Sequence, residues 1–473
     1  MTIRLFNTMT KKKEAFKPLK SKQVKLFVCG VTVYDYTHLG HARTYSFYDT
    51  LVRFLNHQGY KVKYIQNVTD VGHLLDTGED RILKKAREEK KNPLEIAQLY
   101  LNHWMEMMEK MKIDKPDLMP RATEHIKEIT KQISDIIKNG YAYIANGSVY
   151  FDVSKFKGYG KLSKKIPNEL KAGARVGINV DKTDPHDFAL WIQAPPEHVL
   201  RWESPWSVGY PGWHVEDTAI AVRYFGPQYD VHGGAIELAF PHHEAEIAQA
   251  EAATGKKPYV KYWVHTGLLT INKQKMSKSV GNIVMISDMV EKWGPEALRL
   301  WIASTNYRKP IDYNENDLEV AKKRMERIGS TLERIKENIG KGGSKRIFSA
   351  KLEKLKKEFF KAMEDDFNTP LALSKFFEII TLVNKHIYNG KFSNSDLKLS
   401  QDVIKELGEF FQIIPEKKKA QLPKAVLDLI RKREAARKIG NFELADKIRN
   451  EIREKYGVVI EDTKDGFRWK SAD

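Results

Sequence analysis

Two short segments of the chain carry groups that can bind the phosphates of a nucleotide. The first is HLGH at 38–41, which places the imidazoles of His38 and His41 three residues apart around Gly40. At the N-terminus of a helix, these rings would add donors to the free backbone N–H groups and the positive end of the helix dipole. A helix cap flanked by surface histidines is the alternative interpretation.

The second segment is KMSKS at 275–279, which carries the ammonium groups of Lys275 and Lys278. It follows the strand-like sequence GLLTIN and precedes Gly281, which indicates a mobile loop. Lysines on such a loop can stabilise the charge that develops as phosphates separate, and the loop can close once a nucleotide is bound. A solvated loop is the alternative for an ordinary lysine pair, but this string is far more specific than a pair.

A third set, made of Cys29, Asp217, His242 and Glu246, combines residue types that bind metal ions. His242 and Glu246 lie four residues apart, so on a helix they face the same side and can share one ion. Each residue also has an ordinary explanation, because a lone cysteine packs as a small hydrophobic residue and a His–Glu pair interacts on a helix surface. Spacing alone therefore leaves metal binding open.

The elements around HLGH form a strand–helix–strand unit. The apolar run 24–28 predicts a strand, apolar positions at 47–55 recur at helical spacing until Gly59, and 61–68 alternates toward a second strand. Such units form parallel sheets with right-handed crossovers, and ligands bind at the C-terminal ends of the strands. The HLGH segment lies at that edge of the predicted sheet.

The middle of the chain has a different pattern. Two helical stretches are predicted at about 80–112 and 124–138, and Asn146-Gly147 between apolar runs predicts a hairpin. From there to about residue 200 the chain is rich in Lys, Gly and Pro without a helical repeat. We interpret this segment as an insertion into the sheet domain.

The last part of the chain is predicted to be mainly helical. Sheet-like patterning returns at 230–239, and Pro295 marks the start of a helix. The segment GKGGSK at 340–345 is the best linker candidate, and amphipathic helices and a final hairpin follow it. The basic string IRKREAARK at 430–438 in this part fits an RNA partner.

Length and composition limit the functional classes. The 473 residues suggest two to four domains at roughly 100–200 residues each, and the excess of 80 Lys+Arg over 62 Asp+Glu gives a net charge of +18 that fits a polyanionic partner. The single cysteine, Cys29, cannot form an internal disulfide, which favours a reducing, cytoplasmic setting. The sequence predicts neither a signal peptide nor a membrane span.

The quoted segments together resemble those of the cysteinyl-tRNA synthetases, a family of class I aminoacyl-tRNA synthetases. HLGH is similar to the HIGH signature of the class, KMSKS matches its second signature, and RWESPWSVGYPGWHVE and DVHGGAIELAFPHHEAEIAQ resemble segments special to the family. The resemblance extends from about residue 20 to the C-terminus and includes DDFNTPLAL at 365–373. It implies an α/β fold, with a Rossmann-like parallel-sheet catalytic domain, an insertion, and a mainly α-helical tRNA-binding C-terminal region.

The resemblance also implies an activity and its site. ATP and L-cysteine would give cysteinyl-adenylate, and the cysteinyl group would then pass to the 3′ end of tRNA(Cys). His38, Gly40, His41, Lys275 and Lys278 would bind ATP together with Mg²⁺, and the two histidines and two lysines would be catalytic. A monomer in the cytoplasm, with no membrane partner, is the implied setting.

A zinc ion is the second implied cofactor. The resemblance assigns Zn²⁺ to Cys29, Asp217, His242 and Glu246, and it assigns the cysteine pocket to Cys29, Thr69, Trp213 and His232. Family members usually have cysteine where this chain has Asp217. It therefore stays open whether Asp217 binds the metal or turns away and leaves a water in its place, and which metal is bound.

Two milder departures affect the pocket. Val31 replaces a usual proline, and TDVGHLLDTGEDR at 69–81 differs from the continuation that is usual after Thr69. Because of the second departure, the sequence does not determine which residues form this part of the pocket wall.

The implied domains follow the chain order. They are residues 1–115 and 201–270 for the two halves of the catalytic domain, 116–200 for the insertion, 271–344 for the KMSKS loop and stem-contact helices, and 345–473 for the helical anticodon-binding region with its small hairpin. Two other functions are alternatives. A ligase that joins activated cysteine to an amino sugar would lack the region 345–473, and a catalytically silent RNA-binding paralogue would not need the intact histidines and lysines.

Overall fold

The computed structural model describes residues 2–72, 80–165, 181–196, 198–276, 280–415, 424–438, 440–463 and 466–471. The chain divides into two compact units, Met1–Ile414 and Pro415–Asp473. In the described part of the chain, no helix is both long and apolar enough to cross a membrane.

The strands are β1 (Arg4–Asn7), β2 (Lys12–Ala15), β3 (Gln23–Thr32), β4 (Lys61–Thr69), β5 (Ala142–Ala145), β6 (Ser148–Phe151), β7 (Phe188–Gln193), β8 (Gly209–Pro211), β9 (Tyr229–Ala235), β10 (Val260–Thr266), β11 (Leu269–Ile271), β12 (Gln274–Lys275), β13 (Ile311–Tyr313), β14 (Val458–Thr463) and β15 (Gly466–Ser471). The helices are α1 (Leu39–His57), α2 (Arg81–Glu89), α3 (Pro93–Lys110), α4 (Ile126–Lys138), α5 (Trp213–Phe225), α6 (His242–Thr254), α7 (Ile286–Trp293), α8 (Pro295–Ala303), α9 (Glu315–Asn338), α10 (Ser349–Glu364), α11 (Thr369–Tyr388), α12 (Asn394–Glu409), α13 (Lys424–Lys438) and α14 (Phe442–Tyr456).

A parallel sheet with the strand order β10-β9-β3-β4 forms the centre of the first unit. Its strands are buried on both faces, as continuous apolar runs predict. Leu26 and Val28 of β3 pack in one hydrophobic cluster with α1, whereas Phe27 points to the opposite face and packs in a second cluster with α5 and α6. The predicted α/β fold with a parallel sheet is therefore confirmed.

The strand order places a switch point between β3 and β9. From β3 the chain crosses through α1 to β4 on one side, and from β9 it crosses through α6 to β10 on the other. The two crossovers leave a crevice outside the C-terminal ends of β3 and β9, where open α/β sheets bind their ligands.

The segment between the two halves of the parallel sheet forms its own antiparallel sheet, in the order β5-β6-β7-β8. Asn146 and Gly147 connect β5 to β6 with φ values of 46° and 73°, as a two-residue hairpin turn requires. The predicted hairpin is confirmed. The single helical stretch predicted at about 80–112 is two helices, α2 and α3. Asn92 caps α3 by accepting from the N–H of Leu94, and Pro93 cannot continue α2.

The helices α9 to α12 belong to the first unit. The linker candidate 340–345 lies inside this unit, where the Asn394 side-chain oxygen accepts from the N–H groups of Gly340 and Gly342 at 2.8 and 3.1 Å. The buried Asp366 between α10 and α11 accepts from the N–H of Phe6 and the hydroxyl of Tyr307, both at 2.7 Å. These bonds connect the helical part to the sheet part, and the predicted boundary at 344/345 stays a prediction.

Asp396 is a buried carboxylate that fixes the start of two helices. It accepts from the N–H of Ser393 in the capping box of α12, and also from the N–H and hydroxyl of Ser349 at the start of α10. Burial alone would raise the pKa of Asp396, but hydrogen bonds, with those from Ser349, Ile347 and Ser393 foremost, outweigh it and hold the pKa at about 2.

We expect Asp396→Asn to lower the free energy of unfolding by roughly 2–3 kcal/mol at pH 7, since each pKa unit between the folded and unfolded states contributes about 1.36 kcal/mol. A depressed folded pKa stabilises the chain above the unfolded pKa, and this stability is lost as the pH falls through about 2. Denaturant unfolding of the full chain between pH 7 and pH 2 measures the difference. Asp402→Asn, at an exposed position on α12, is the control. A pH-independent difference would contradict the assignment.

The second unit consists of α13, α14 and the hairpin β14–β15. Val426, Ile430, Ile448 and Ile452 pack with the start of the hairpin in a small core. Within the predicted basic string, the Arg431 side chain is 81% exposed, whereas the Arg433 side chain is only 1% exposed and pairs with Glu434 at 2.7 Å. Arg433 is thus a buried residue of this unit.

Candidate active site

The crevice at the switch point is a cleft of about 310 Å³. Both candidate phosphate-binding segments line this cleft, HLGH through His38, Gly40 and His41 and KMSKS through Lys275. Cys29, the candidate metal ligand on β3, lines it as well. Residues that are far apart in the sequence therefore share one cleft at the C-terminal ends of β3 and β9.

The HLGH segment forms the start of α1, as its position after a strand predicts. His38 precedes the first turn with extended backbone angles, and its N–H donates to Nδ1 of His41 at 3.2 Å. The two imidazole rings stack with their centroids 3.9 Å apart. A side chain at Gly40 would press against the His38 ring at 3.1 Å, so glycine keeps this stack compact.

Lys275 reaches the same cleft from β12. Its ammonium group lies 3.1 Å from a carboxylate oxygen of Glu237, and both side chains are about half exposed. Lys278 lies outside the described residues. Val284, which follows the KMSKS segment in the sequence, is hydrogen-bonded to HLGH. Its carbonyl accepts from the N–H of Leu39 at 2.8 Å.

The four predicted metal ligands converge below the cleft. Cys29 Sγ, one carboxylate oxygen each of Asp217 and Glu246, and a ring nitrogen of His242 all lie within 4.8 Å of one another. His242 Nε2 is 3.1 Å from Asp217 Oδ2 and 3.0 Å from Glu246 Oε1. All four residues are buried.

The fold explains this convergence. Cys29 follows Phe27 by two residues, so both point to the face of the sheet that α5 and α6 cover. Helix α6 supplies His242 and Glu246 from positions one helical turn apart, and α5 supplies Asp217.

Asn67 on β4 holds two parts of the cluster in place. Its side-chain oxygen accepts from the N–H of Gly30 at 2.8 Å, and its amide donates to Oδ1 of Asp217. A Cβ at Gly30 would lie 1.6 Å from the backbone carbonyl oxygen of Asn67, so only glycine fits beside Cys29. With Oδ1 held by the amide, Asp217 turns Oδ2 toward His242.

A second set of possible ligands overlaps the first. Cys29 and Glu246 also group with His232 on β9 and His243 on α6. Cys29 Sγ is 3.0 Å from His243 Nε2 and 3.3 Å from His232 Nε2. His232 was predicted to line the substrate pocket, whereas His243 was not predicted as a metal ligand, although His243 and Glu246 have helical i,i+3 spacing.

The environment shifts the pKa values of these groups strongly. Burial, followed by the carboxylates of Glu246 and Asp217, raises the pKa of the Cys29 thiol well above its ordinary value. Burial and Asp217 likewise raise the pKa of Glu246. Burial and neighbouring imidazoles lower the pKa values of His232 and His243. Without a cation these acids resist ionisation, and a bound cation would favour their ionised forms.

The donor set fits a zinc ion. It combines one thiolate, imidazole nitrogen and carboxylate oxygen, which are the ligand types of zinc sites. Glu246 Oε2 is buried and has no hydrogen-bond partner within the described part of the chain. A buried carboxylate oxygen of this kind is costly unless a cation or donor satisfies it.

The predicted pocket residues surround the cluster. The Trp213 ring stacks on His242 with an interplanar angle of 1° and a centroid distance of 4.1 Å, which fixes the imidazole orientation. His232 is fully buried beside Cys29. The Thr69 hydroxyl accepts from the Asn67 amide at 3.3 Å.

Comparison with known families gives consistent matches along the chain. Residues 15–323 match the family described as tRNA synthetases class I (C) catalytic domain. Residues 358–414 match the DALR domain, and residues 419–469 match the cysteinyl-tRNA ligase anticodon binding domain.

Two relatives that match the chain over nearly their whole length are named cysteine–tRNA ligase. The chain is 42% identical to the cysteine–tRNA ligase of Chlorobium chlorochromatii over 483 residues, with 99% of each chain covered. It is 43% identical to the cysteine–tRNA ligase of Thermococcus kodakarensis over 482 residues, again with 99% of each covered.

Solved structures share the fold at low sequence identity. Mycobacterium tuberculosis methionyl-tRNA synthetase in complex with methionyl-adenylate aligns with a TM-score of 0.59 at 15% identity, covering 83% of this chain and 90% of that chain. A leucyl enzyme from Agrobacterium radiobacter K84, in a ternary complex, aligns with a TM-score of 0.58 at 12% identity, covering 85% and 86%. These matches show the class I synthetase fold.

Proposed function

The chain belongs to the cysteine–tRNA ligases of class I, and from this membership we propose that its buried cluster of Cys29, Asp217, His242 and Glu246 binds Zn²⁺ to select the substrate cysteine. The enzyme is an ATP-dependent ligase that joins cysteine to tRNA. The observation that carries the zinc proposal is the convergence of four buried ligand groups directly beside the nucleotide cleft.

Adenylate formation needs positioning and charge stabilisation more than a protein nucleophile. The stacked imidazoles of His38 and His41 would hold the ATP phosphates at the N-terminus of α1, where the backbone N–H groups and helix dipole favour negative charge. Lys275, now paired with Glu237, would exchange this partner for the pyrophosphate. Lys278 would act from the same loop, and Mg²⁺ would accompany ATP.

A zinc ion bound by these residues would favour a thiolate, so a thiol substrate would bind more strongly than a serine hydroxyl. The neighbouring residues prepare this selection. Trp213 fixes His242 by stacking, His232 adds an imidazole beside Cys29, and Thr69 lies near the ligand-orienting Asn67. A purely apolar pocket would discriminate poorly between cysteine and serine. Such a pocket rejects a substrate of the same shape that carries a hydroxyl group by only about 100-fold.

The position of Asp217 supports a direct role in metal binding. Its Oδ2 faces His242 while Oδ1 accepts from Asn67, so one oxygen is committed to an orienting bond and the other faces the cluster. The alternative, in which Asp217 turns away and a water takes its place, would break the Asn67 bond within a buried site.

ATP–pyrophosphate exchange tests the proposed selection. We expect exchange with cysteine and far less with serine, and we expect removal of zinc with a chelator to weaken cysteine binding more than ATP binding. Zinc added back should restore the difference. Equal cysteine affinity before and after zinc removal, in a chain that stays folded, would contradict the proposal.

The proposed domains keep the chain order. We propose that 1–115 and 201–270 form the catalytic domain, 116–200 the insertion, 271–344 the KMSKS loop and stem-contact helices, and 345–473 the tRNA-binding region. The anticodon-binding match at 419–469 supports the last of these. We further propose a monomer that works in the cytoplasm, where translation supplies tRNA(Cys).

We expect a chain that ends at residue 414 to keep most of its cysteine-dependent ATP–pyrophosphate exchange and to lose most tRNA charging. The described site residues lie in the first unit, whereas the anticodon-binding match lies in the second. A cut at 344 should instead impair folding, because it removes Asp366 and its bonds to the sheet part. Loss of exchange in a 414-residue chain with an unchanged circular dichroism spectrum would contradict this division.

The two alternative functions have less support. Relatives named cysteine–tRNA ligase match the chain over 99% of their length, including the region beyond residue 345 that an amino-sugar ligase would lack. The shared cleft of His38, His41 and Lys275 favours an active enzyme over a silent RNA-binding paralogue.

A further inference from the structure

Tyr36 is an exposed aromatic residue at the candidate active site. It lies in the loop between β3 and α1, two residues before His38, and it lines the same cleft as HLGH and Lys275. The residue is 48% exposed. The groups proposed above for phosphate and metal binding do not include it. Exposed aromatic rings along a nucleic-acid path are surfaces on which bases stack.

The described lining of the cleft contains two other tyrosines, and both are covered. The Arg81 guanidinium lies over the ring of Tyr34, 5.2 Å from its centroid, and donates to its hydroxyl at 3.2 Å. Tyr45 is only 5% exposed, and its hydroxyl donates to the carbonyl of Cys29 at 3.1 Å. Tyr36 is thus the tyrosine of this lining that offers ring surface to a ligand.

Two side chains of α3 fix the orientation of the Tyr36 ring. Tyr100 and His103 lie about one helical turn apart, and their ring centroids are 5.1 and 4.7 Å from that of Tyr36. The interplanar angles are 80° and 83°, so both neighbours make edge contacts rather than parallel stacks. Among the residues that the structure describes, no ring stacks parallel to Tyr36, and a flat ligand can do so.

The backbone around Tyr36 is anchored on both sides. Before it, the N–H of Val33 donates to the carbonyl of Thr69 at the end of β4, at 3.3 Å. After it, the carbonyl of Thr37 accepts from the N–H of Ile286 at the start of α7, at 3.2 Å. The ring is therefore preorganised, and stacking on it requires little ordering of the protein.

Two nucleotide substrates of a tRNA ligase enter this cleft, ATP and the 3′ end of the tRNA. HLGH and Lys275 would hold the ATP phosphates, and Lys275 pairs with Glu237 in the segment after β9. This pair directs ATP toward the ends of β9 and β10, whereas α3 holds Tyr36. Single-stranded RNA ends are recognised by stacking their bases on aromatic side chains. Tyr36 therefore suits the RNA end better than ATP.

We propose that Tyr36 binds the 3′ end of the tRNA by stacking on the base of its terminal nucleotide. This inference rests on the proposed position of ATP at HLGH and Lys275. Tyr36 is a binding residue for the second step of the reaction. Stacking holds the terminal ribose in the cleft, where it accepts the cysteinyl group.

A tRNA(Cys) with 2-aminopurine as its terminal base reports the stacking directly, because stacking on an aromatic ring quenches the fluorescence of this base. At saturating enzyme, the bound RNA should be dimmer with the wild type than with Tyr36→Ala. Tyr36→Phe keeps the ring and is the matched control, so it should quench like the wild type. Equal fluorescence of the RNA bound to the wild type and to Tyr36→Ala would overturn the proposal.

The two half-reactions separate the RNA end from ATP. We expect Tyr36→Ala to raise the KM for tRNA in charging by about 5–150-fold, the effect of losing one stacked base. Its KM for ATP in ATP–pyrophosphate exchange should stay near that of the wild type, and Tyr36→Phe should match the wild type in both assays. A higher KM for ATP with an unchanged KM for tRNA would place the adenine of ATP on Tyr36 and overturn the proposal. Exchange by the wild type needs no tRNA, so it tests the proposed function separately.

Discussion

Replacing Asp217 by alanine is expected to weaken zinc binding by about 100-fold or more. Even outer partners of metal ligands contribute about 10–100-fold to metal affinity, so the loss of a direct ligand should exceed their effect. The same substitution leaves the Asn67 amide without one of its two buried acceptors, because the Thr69 hydroxyl still accepts from it. Competition with a chromogenic chelator measures the affinity, and circular dichroism verifies that the variant is folded.

Asp217→Cys is the matched control for this prediction. It restores the residue type that is usual in the family and keeps a metal ligand at the same place on α5. A thiolate is softer than a carboxylate, so we expect zinc to bind this variant more tightly than the wild type and other divalent ions to compete less. Equal zinc affinity in the wild type and Asp217→Ala would remove Asp217 from the site.

Replacing Lys278 by alanine is expected to slow adenylate formation by about 100–1000-fold, the usual effect of removing one group that stabilises transition-state charge. Cysteine binding should change little, because the ammonium group acts on charge that grows during the reaction. Pre-steady-state burst kinetics separates the two effects.

Lys273→Ala is the control for Lys278→Ala. Lys273 belongs to the turn between β11 and β12, close to KMSKS but outside it, and its N–H donates to Asp312 at 2.8 Å. We expect its burst rate to stay near that of the wild type. An unchanged burst rate in Lys278→Ala, with weaker cysteine binding, would show that the assigned role of Lys278 is wrong.

Local patterns predicted the central fold well. The run 24–28 and the apolar spacing at 47–55 indicated a strand and a helix, and the structure has β3 and α1 there. These predictions worked because both elements bury regular faces against the sheet core. Residue types and the spacing of His242 and Glu246 suggested the four metal-ligand candidates, but only the family resemblance assigned a metal to them, since β3, α5 and α6 bring them together over long sequence distances.

Other features depend on tertiary packing that no local pattern reveals. His243 has the same residue type as His242, and only the position of α6 on the sheet places its Nε2 3.0 Å from Cys29. In the sequence Asn67 is an ordinary residue of a predicted strand, and only the folded chain shows that its side chain bonds to Gly30 and Asp217. The glycine-rich segment 340–345 has the composition of a linker, yet Asn394 ties it into the first unit.

The most direct test of zinc-based selection is X-ray absorption at the zinc edge of the full chain, without amino acid and with saturating cysteine or serine. Cys29 is the only cysteine of the chain, so the zinc of the free enzyme can have at most one protein sulfur. We expect one sulfur without amino acid, two with cysteine and one with serine. A sulfur count that stays at one with saturating cysteine would contradict it.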